Sequence, residues 1–342
     1  MELGLNEEQV ALVDSFSALL GKLSSPERVR EAEPRGFDEE LWNALAETGV
    51  VFMAVAEEHG GWGAELLDLV LVAEQVGRAM APAPVIESQV AARLLARCGT
   101  DTARLDRVLD GTSIVTVAVR GASGRTTAGH SELVPGGSIC DAVIVWDGTE
   151  LRLVDISDDR RTPVANLASA PLADLRTDGG IVLASGDTAA ALFETAIDEW
   201  LVLTAAAVVG LAALALEVAC AYAVERRAFG SAIGSFQGIS HPLADDATNI
   251  DGALLLVRKA AWAMQRDDVR GSELAAMAFA FALATAESTT YDAVHVHGGY
   301  GFMLEYDVQM LYRRVRGWPR VWGDVKVAND RVAANRYGHG GE

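Results

Sequence analysis

Trp200-Leu201-Val202-Leu203-Thr204-Ala205-Ala206-Ala207-Val208-Val209-Gly210-Leu211-Ala212-Ala213-Leu214-Ala215-Leu216 carries no charge, and Glu199 and Glu217 close the run at both ends. It is slightly short for a bilayer span, which takes roughly 20 apolar residues. A helix that is apolar on every side and bounded by carboxylates reads instead as the centre of a large protein core. Helical periodicity extends outward from it over 188–226. It resumes near Pro242, a residue tolerated in the first turn of a helix, and continues towards Gln265. A further helix is expected over about 272–296, with short helices after Gly301. These elements form a C-terminal helical bundle over 188–342, expected to be a four-helix bundle.

The chain ahead of the bundle has two textures. Residues 1–111 are helical in pattern. Asn6 is a candidate N-cap for the apolar-periodic run Val10, Leu12, Val13, Phe16, Leu19 and Leu20. A helix over Asp38 to Thr48 buries Leu41, Trp42, Leu45 and Ala46, with Gly49 just past its end. Two more helices are expected near 65–80 and 86–98, divided by Ala81-Pro82-Ala83-Pro84. Residues 112–187 are rich in Val, Ile and Thr and form a small β domain. Ser113–Val119, Ala142–Trp146 and Leu151–Ile156 read as strands, and Asp147-Gly148 as the hairpin turn between the last two. The fold class is therefore mostly α with a small central β domain. Alternating βαβ units are absent, which argues against a Rossmann-type sheet.

The chain has 342 residues, 50% of them hydrophobic, and a net charge of −20. That field repels nucleic acid and anionic lipid, so neither is expected as a partner. Cys98, Cys140 and Cys220 form no metal-binding spacing and suit a reducing cytoplasm. No metal site is expected. The acidic start, Met1-Glu2-Leu3-Gly4-Leu5-Asn6-Glu7-Glu8, lacks the basic region of a signal peptide.

Three patterns in the bundle could carry chemistry. In Glu225-Arg226-Arg227-Ala228-Phe229-Gly230, followed by Phe236-Gln237, the arginines either bind a phosphate or complement a helix C-terminus that Gly230 ends. In His295-Val296-His297-Gly298-Gly299-Tyr300-Gly301-Phe302, the glycines let backbone approach either a ligand or another helix. The two histidines, two residues apart on a helix, point in different directions and do not share a metal. Arg313, Arg314, Arg316 and Arg320 form a basic cluster in an acidic chain, either a solvated face or a site for an anionic ligand or partner.

Together, at these separations, the patterns resemble the acyl-CoA dehydrogenase family. Its R-x-x-F-G motif with a later Gln is matched by Arg226, Phe229 and Gln237. Its Q-x-x-G-G-x-G-[FY]-x-x-E motif is matched by His295, in place of Gln, with Gly298, Gly299, Gly301, Phe302 and Glu305. Glu39-Glu40-Leu41-Trp42 and Ala54–Gly63 resemble N-terminal passages of the family. The resemblance implies an FAD-dependent oxidoreductase of lipid metabolism, in fatty acid or steroid degradation, that desaturates an acyl-CoA thioester between its α and β carbons. Electron-transfer flavoprotein is the implied acceptor. It also implies that Arg226, Phe229, Gln237, His295, Gly298 and Gly299 contact a flavin shared with a neighbouring subunit.

Two departures limit it. The T-E-P-x-x-G-S-D and W-x-T stretches that line the flavin in full-length members are missing; the nearest match is Val117–Gly124. The usual catalytic Glu position, before a Gly, holds Trp322 before Gly323. Some members place the base near the start of the long helix, within a residue of Glu199, with Asp198 beside it. Those two carboxylates equally suit a helix's first turn. The expectation is a subunit of a heteromer, α2β2, that donates flavin contacts to a second acyl-CoA dehydrogenase subunit carrying the base. Some actinobacterial members that shorten CoA-linked steroid side chains have this arrangement. A self-sufficient enzyme with Glu199 as base, and a non-enzymatic acyl-CoA-binding scaffold, remain the other readings.

Overall fold

The computed structural model of the protein describes residues 4–120 and 129–338. Helices occupy the first third: α1 (Glu7–Leu23), α2 (Pro26–Ala32), α3 (Glu39–Glu47), α4 (Leu66–Arg78), α5 (Val85–Cys98) and α6 (Thr102–Leu109). Asn6 caps α1 as expected, accepting from the Gln9 N–H while the Gln9 side chain accepts from the Asn6 N–H. Asp38 caps α3 and also pairs with Arg28 at 2.7 Å. The short α2 and α6 have too few periodic positions to stand out in the sequence.

The strands follow as β1 (Val115–Val117), β2 (His130–Val134), β3 (Ala142–Trp146), β4 (Glu150–Asp155), β5 (Arg161–Pro163), β6 (Ala173–Arg176) and β7 (Ile181–Ser185). They form two sheets, β1-β3-β4-β7 and β2-β6-β5. β3 and β4 pair antiparallel across the expected Asp147-Gly148 turn, where Gly148 takes φ +99°. β1 lies parallel to β3. The first sheet rests on α5, and Trp146 stacks on Phe193 of the following helix at 6.3 Å.

That helix is α7 (Gly186–Glu225), forty residues long. It has the length and apolar composition to cross a membrane, yet it lies mostly buried inside the protein. Around it pack α4, α5, α8 (Gln237–Gln265) and α9 (Gly271–His297), followed by α10 (Val308–Gly317) and α11 (Val325–Tyr337). α8 starts at Gln237, ahead of the expected Pro242, which lies inside the helix. Proline there lacks only the N–H that would reach the Gly238 carbonyl. Gly238 is exposed, and solvent can serve that carbonyl.

The tightest contact of α7 is with α4. A Cβ on Gly77 would overlap the Ala207 carbonyl oxygen, and one on Gly210 would overlap the Glu74 carbonyl oxygen. The two glycines thus allow the backbones of α4 and α7 to touch. Gly210→Ala is expected to destabilise the protein by about 1–3 kcal/mol by forcing the helices apart. Gly238→Ala, with open space around its Cβ, should be neutral or slightly stabilising. Thermal or urea melts of the two variants check this.

Candidate functional site: an exposed cluster at one end of the bundle

α7 runs up, α8 down and α9 up, so the C-termini of α7 and α9 and the N-terminus of α8 share one end of the bundle. Tyr222 in the last turn of α7 stacks on His297 in the last turn of α9, with ring centroids 4.3 Å apart. This topology gathers Arg226, Phe229, Gln237, His295, Gly298 and Gly299 at one end of the molecule.

Arg226 ends α7, its N–H bonded to the Tyr222 carbonyl at 2.8 Å. The chain then forms a minimal hairpin, β8 (Arg227–Ala228) against β9 (Ser231–Ala232). Its two central residues, Phe229 and Gly230, take φ +51° and +85°. Positive φ at both centres is the two-residue turn that suits the twist of paired strands. Glycine is at ease there, whereas a phenylalanine is strained. The strain places Phe229 at the tip, 99% exposed, with Phe236 edge-on at 6.2 Å. Gln237 opens α8, and no side chain caps that helix start. Its first N–H groups therefore face outward. The side chains of Arg226 and Arg227 have no partner among the described residues.

On the neighbouring strand of chain, Gly298 ends α9 at φ +61°. A Cβ on Gly298 or Gly299 would meet nothing within 4 Å. This pair faces open space, so of the two readings open at the sequence level, close helix packing is not the one realised. Gly301 differs, because a Cβ there would press on the Val294 carbonyl. His295 is exposed beside Tyr291, and His297 is buried with its Nδ1 at 2.7 Å from the Ala293 carbonyl oxygen. Phe302, Met303 and Leu304 are exposed beyond them. Exposed apolar side chains gathered at one end of a fold mark a candidate interaction site.

The candidate bases lie elsewhere. Glu199 is 2% exposed and holds both arginines of the adjacent α5 face. Its Oε1 accepts from Arg93 Nε at 2.9 Å and Arg97 Nη2 at 2.5 Å, and its Oε2 accepts from Arg97 Nη1 at 3.0 Å. Burial would raise its pKa, but the two guanidinium charges outweigh burial and hold the carboxyl below the ordinary glutamate value. Asp198, one residue earlier, turns to the other side. It accepts from Arg331 of α11 at 2.6 Å and from Ser272 of α9 at 2.5 Å. The geometry is that of ion pairs that pin α7 to α5 on one side and to α11 on the other, with a hydrogen bond to α9.

Trp322 is buried, edge-on to Phe279 at 5.4 Å, and Trp200 packs on the same Phe279 at 6.2 Å. As apolar residues within apolar helices, Trp200 and Phe279 carry no sequence signal of a role at this position. Val117–Val119 are buried; of the Val117–Gly124 stretch, residues 121–124 lie outside the described residues. Among the described residues no cluster of His, Cys, Asp and Glu could hold a metal ion.

Residues 191–335 match the acyl-CoA dehydrogenase C-terminal domain family, and residues 6–110 match the acyl-CoA dehydrogenase N-terminal domain family. The chain is 31% identical to acyl-CoA dehydrogenase IpdE2 of Mycolicibacterium smegmatis over 96% of its own length and 99% of that protein. It is 30% identical to benzylmalonyl-CoA dehydrogenase of Aromatoleum aromaticum, covering 92% and 94% of the two chains. Among solved structures, it superposes on a variant of the Tcur3481-Tcur3483 steroid ACAD with TM-score 0.86, at 25% identity and 98% coverage of each chain. It also superposes on a chain of the ChsE4-ChsE5 complex from Mycobacterium tuberculosis with TM-score 0.88, at 24% identity and full coverage of both.

Replacing Glu199 by Gln should leave Arg93 and Arg97 without their counter-charge and cost about 3–5 kcal/mol at neutral pH. Because the folded-state pKa of Glu199 is depressed, its stabilisation is fully present above the ordinary glutamate value of 4.5. It is lost as pH falls through the lower folded-state value. Urea unfolding of both proteins as a function of pH should show the gap narrowing only in that acid range. A gap independent of pH would contradict the assignment.

Proposed function

Because this chain belongs to the acyl-CoA dehydrogenase family, we propose that it is the flavin-contact-donating subunit of a heteromeric acyl-CoA dehydrogenase, assembled as α2β2. Bound FAD supplies the two-electron acceptor for desaturation of an acyl-CoA thioester. The exposed cluster suits the phosphate and ring parts of such a cofactor. Arg226 offers charge-assisted donors, and the uncapped start of α8 at Gln237 offers oriented N–H groups. Phe229 offers an aromatic face, and Gly298-Gly299 offers backbone that no side chain shields.

The observation that carries this reading is the contrast between the two halves of the site. The residues that would serve a neighbour are present, unpaired and outward-facing. The positions that would hold this chain's own base are spent: Trp322 packs on Phe279, and both oxygens of Glu199 are held by arginine. General-base catalysis requires a carboxylate within hydrogen-bond reach of the substrate proton. Neither position offers one. A second subunit supplies the base and the remaining flavin contacts. The likeness to the Tcur3481-Tcur3483 steroid ACAD supports a bulky, steroid-derived acyl-CoA as substrate, and electron-transfer flavoprotein is the acceptor that the family resemblance implies.

Co-purification with the partner subunit should give one FAD for every two chains, and the isolated chain should hold little. Phe229→Ala and Arg226→Met should lower FAD occupancy of the complex while leaving the melting temperature of the isolated chain unchanged, since both side chains are exposed. One FAD per chain in the isolated protein, with turnover on an acyl-CoA, would establish self-sufficiency instead.

A further inference from the structure

The middle of the helical bundle carries negative charge that nothing in this chain answers. Residues 200–225 of α7, 237–257 of α8 and 274–294 of α9 contain no lysine or arginine. Two of their carboxylates are met from outside these stretches: Glu217 pairs with Arg78 of α4, and Glu287 pairs with Arg320 beyond α10. Asp245, Asp246 and Asp292 have no ion pair among the described residues.

Asp246 is the member of this group that water does not reach. It is 2% exposed, on the side of α8 that packs against α9. One carboxylate oxygen, Oδ1, accepts from the Thr289 hydroxyl of α9 at 2.9 Å, and the other, Oδ2, has no hydrogen-bond partner among the described residues. Burial pushes its pKa up to about 6; the Thr289 hydrogen bond opposes the shift, and the charges of Asp292 and Asp245 add to it. On the α7 side the Cys220 thiol is raised by burial, then by Asp246 and Glu217. Asp292 is itself raised by burial, with His295 opposing. The three helices thus turn acids, a thiol and a hydroxyl towards Asp246, and no permanent cation. At neutral pH that leaves a buried carboxylate without its counter-charge, an arrangement that is costly until a cation arrives. A bare metal ion does not suit the place, since no cluster of His, Cys, Asp and Glu among the described residues could hold one.

The position of Asp246 indicates the source of the cation. It lies about two and a half turns beyond Gln237 on α8, about 13 Å along the axis. Asp292 lies about one turn before His295 on α9. A neighbour seated over the exposed cluster at the end of the bundle continues along these same two helices. The outer face of α8 there carries only short side chains, Ala244, Ala247 and Thr248, all exposed, so a partner can come close. In a two-fold pairing of identical chains the same face would meet itself, carboxylate against carboxylate. An unlike chain with a basic side chain at this point has no such conflict.

We propose that Asp246, with Asp245 and Asp292 at its margin, is the receptor for an arginine side chain of the second subunit. A guanidinium is weakly hydrated and carries several donors in one plane, so it can serve the free Oδ2 and a second carboxylate at once. The inference rests on the reading of this chain as one subunit of a heteromer and adds the chemistry of one contact between the subunits.

Asp246→Asn keeps an acceptor for Thr289 and removes the charge. In the isolated chain at pH 8 the variant should melt at the same temperature or higher, because an unpaired buried charge is gone. The folded-state pKa of Asp246 is raised, so its ionisation costs stability progressively from the ordinary value of 3.8 up to about 6. The melting temperatures of the two proteins should therefore converge in acid. In the complex with the second subunit, the same variant should weaken association at least about tenfold at pH 8, read by sedimentation equilibrium. Asp292→Asn, at the half-buried margin, should weaken it in the same direction and by less. Opposite signs in the two measurements identify a contact across the interface, since a residue that only supports the fold would lower both. The proposal is overturned if Asp246→Asn destabilises the isolated chain at pH 8, or if the complex forms with unchanged affinity. If the unsubstituted chain forms no mixed complex at all, the heteromer reading itself fails and takes this inference with it.

Discussion

A helix that is apolar on all sides must be enclosed on all sides, and α7 imposes that condition on the rest of the molecule. α4, α5, α8 and α9 surround it, and Gly77 and Gly210 bring the first of these to backbone contact. Enclosure by hydrophobic packing alone is weakly directional. Direction comes from two adjacent carboxylates. Asp198 and Glu199 lie about 100° apart around the helix, and each meets arginine on a different neighbour. Glu199 ties α7 to the N-terminal helices, and Asp198 ties it to the end of the chain. The rotation of α7 about its axis is thereby set, and with it everything that α7 presents at its far end.

That far end behaves unlike the middle. Past Ala223 the enclosure stops, and Val224, Arg226 and Phe229 stand in solvent. A strained phenylalanine at a hairpin tip, unpaired arginines and an uncapped helix start would be defects in a monomer. They fit the proposed role of this end of the chain in a site completed by a neighbour. The interior tells the complementary story. Trp200 and Trp322 both pack on Phe279, so Trp322 is a core side chain.

Much of the fold was legible in the chain because its signals are local. Periodicity marked α1, α3, α4, α5, α7 and α9, and Asp147-Gly148 marked the β3–β4 turn. The elements missed were those too short to show a period, such as α2, α6 and the peripheral strands. Pro242 misplaced the start of α8, since a helix tolerates proline wherever solvent serves the orphaned carbonyl. The site motifs were legible as residue types at fixed separations, and the topology of three helices put them at one end.

The sequence by itself determined that α7 is buried and that helices flank a β region, because residue identity and periodicity do not depend on neighbours distant in the chain; that Trp322 occupies the usual base position is what the resemblance to the family implied. Only the tertiary structure decided what Glu199 and Asp246 do. Both are single charged residues whose role depends on what lies across from them. Glu199 meets two arginines from α5 and is consumed in an ion pair, while Asp246 meets the Thr289 hydroxyl and no cation of this chain. The partner of a buried charge is supplied by packing between elements far apart in the chain, and no local pattern encodes it.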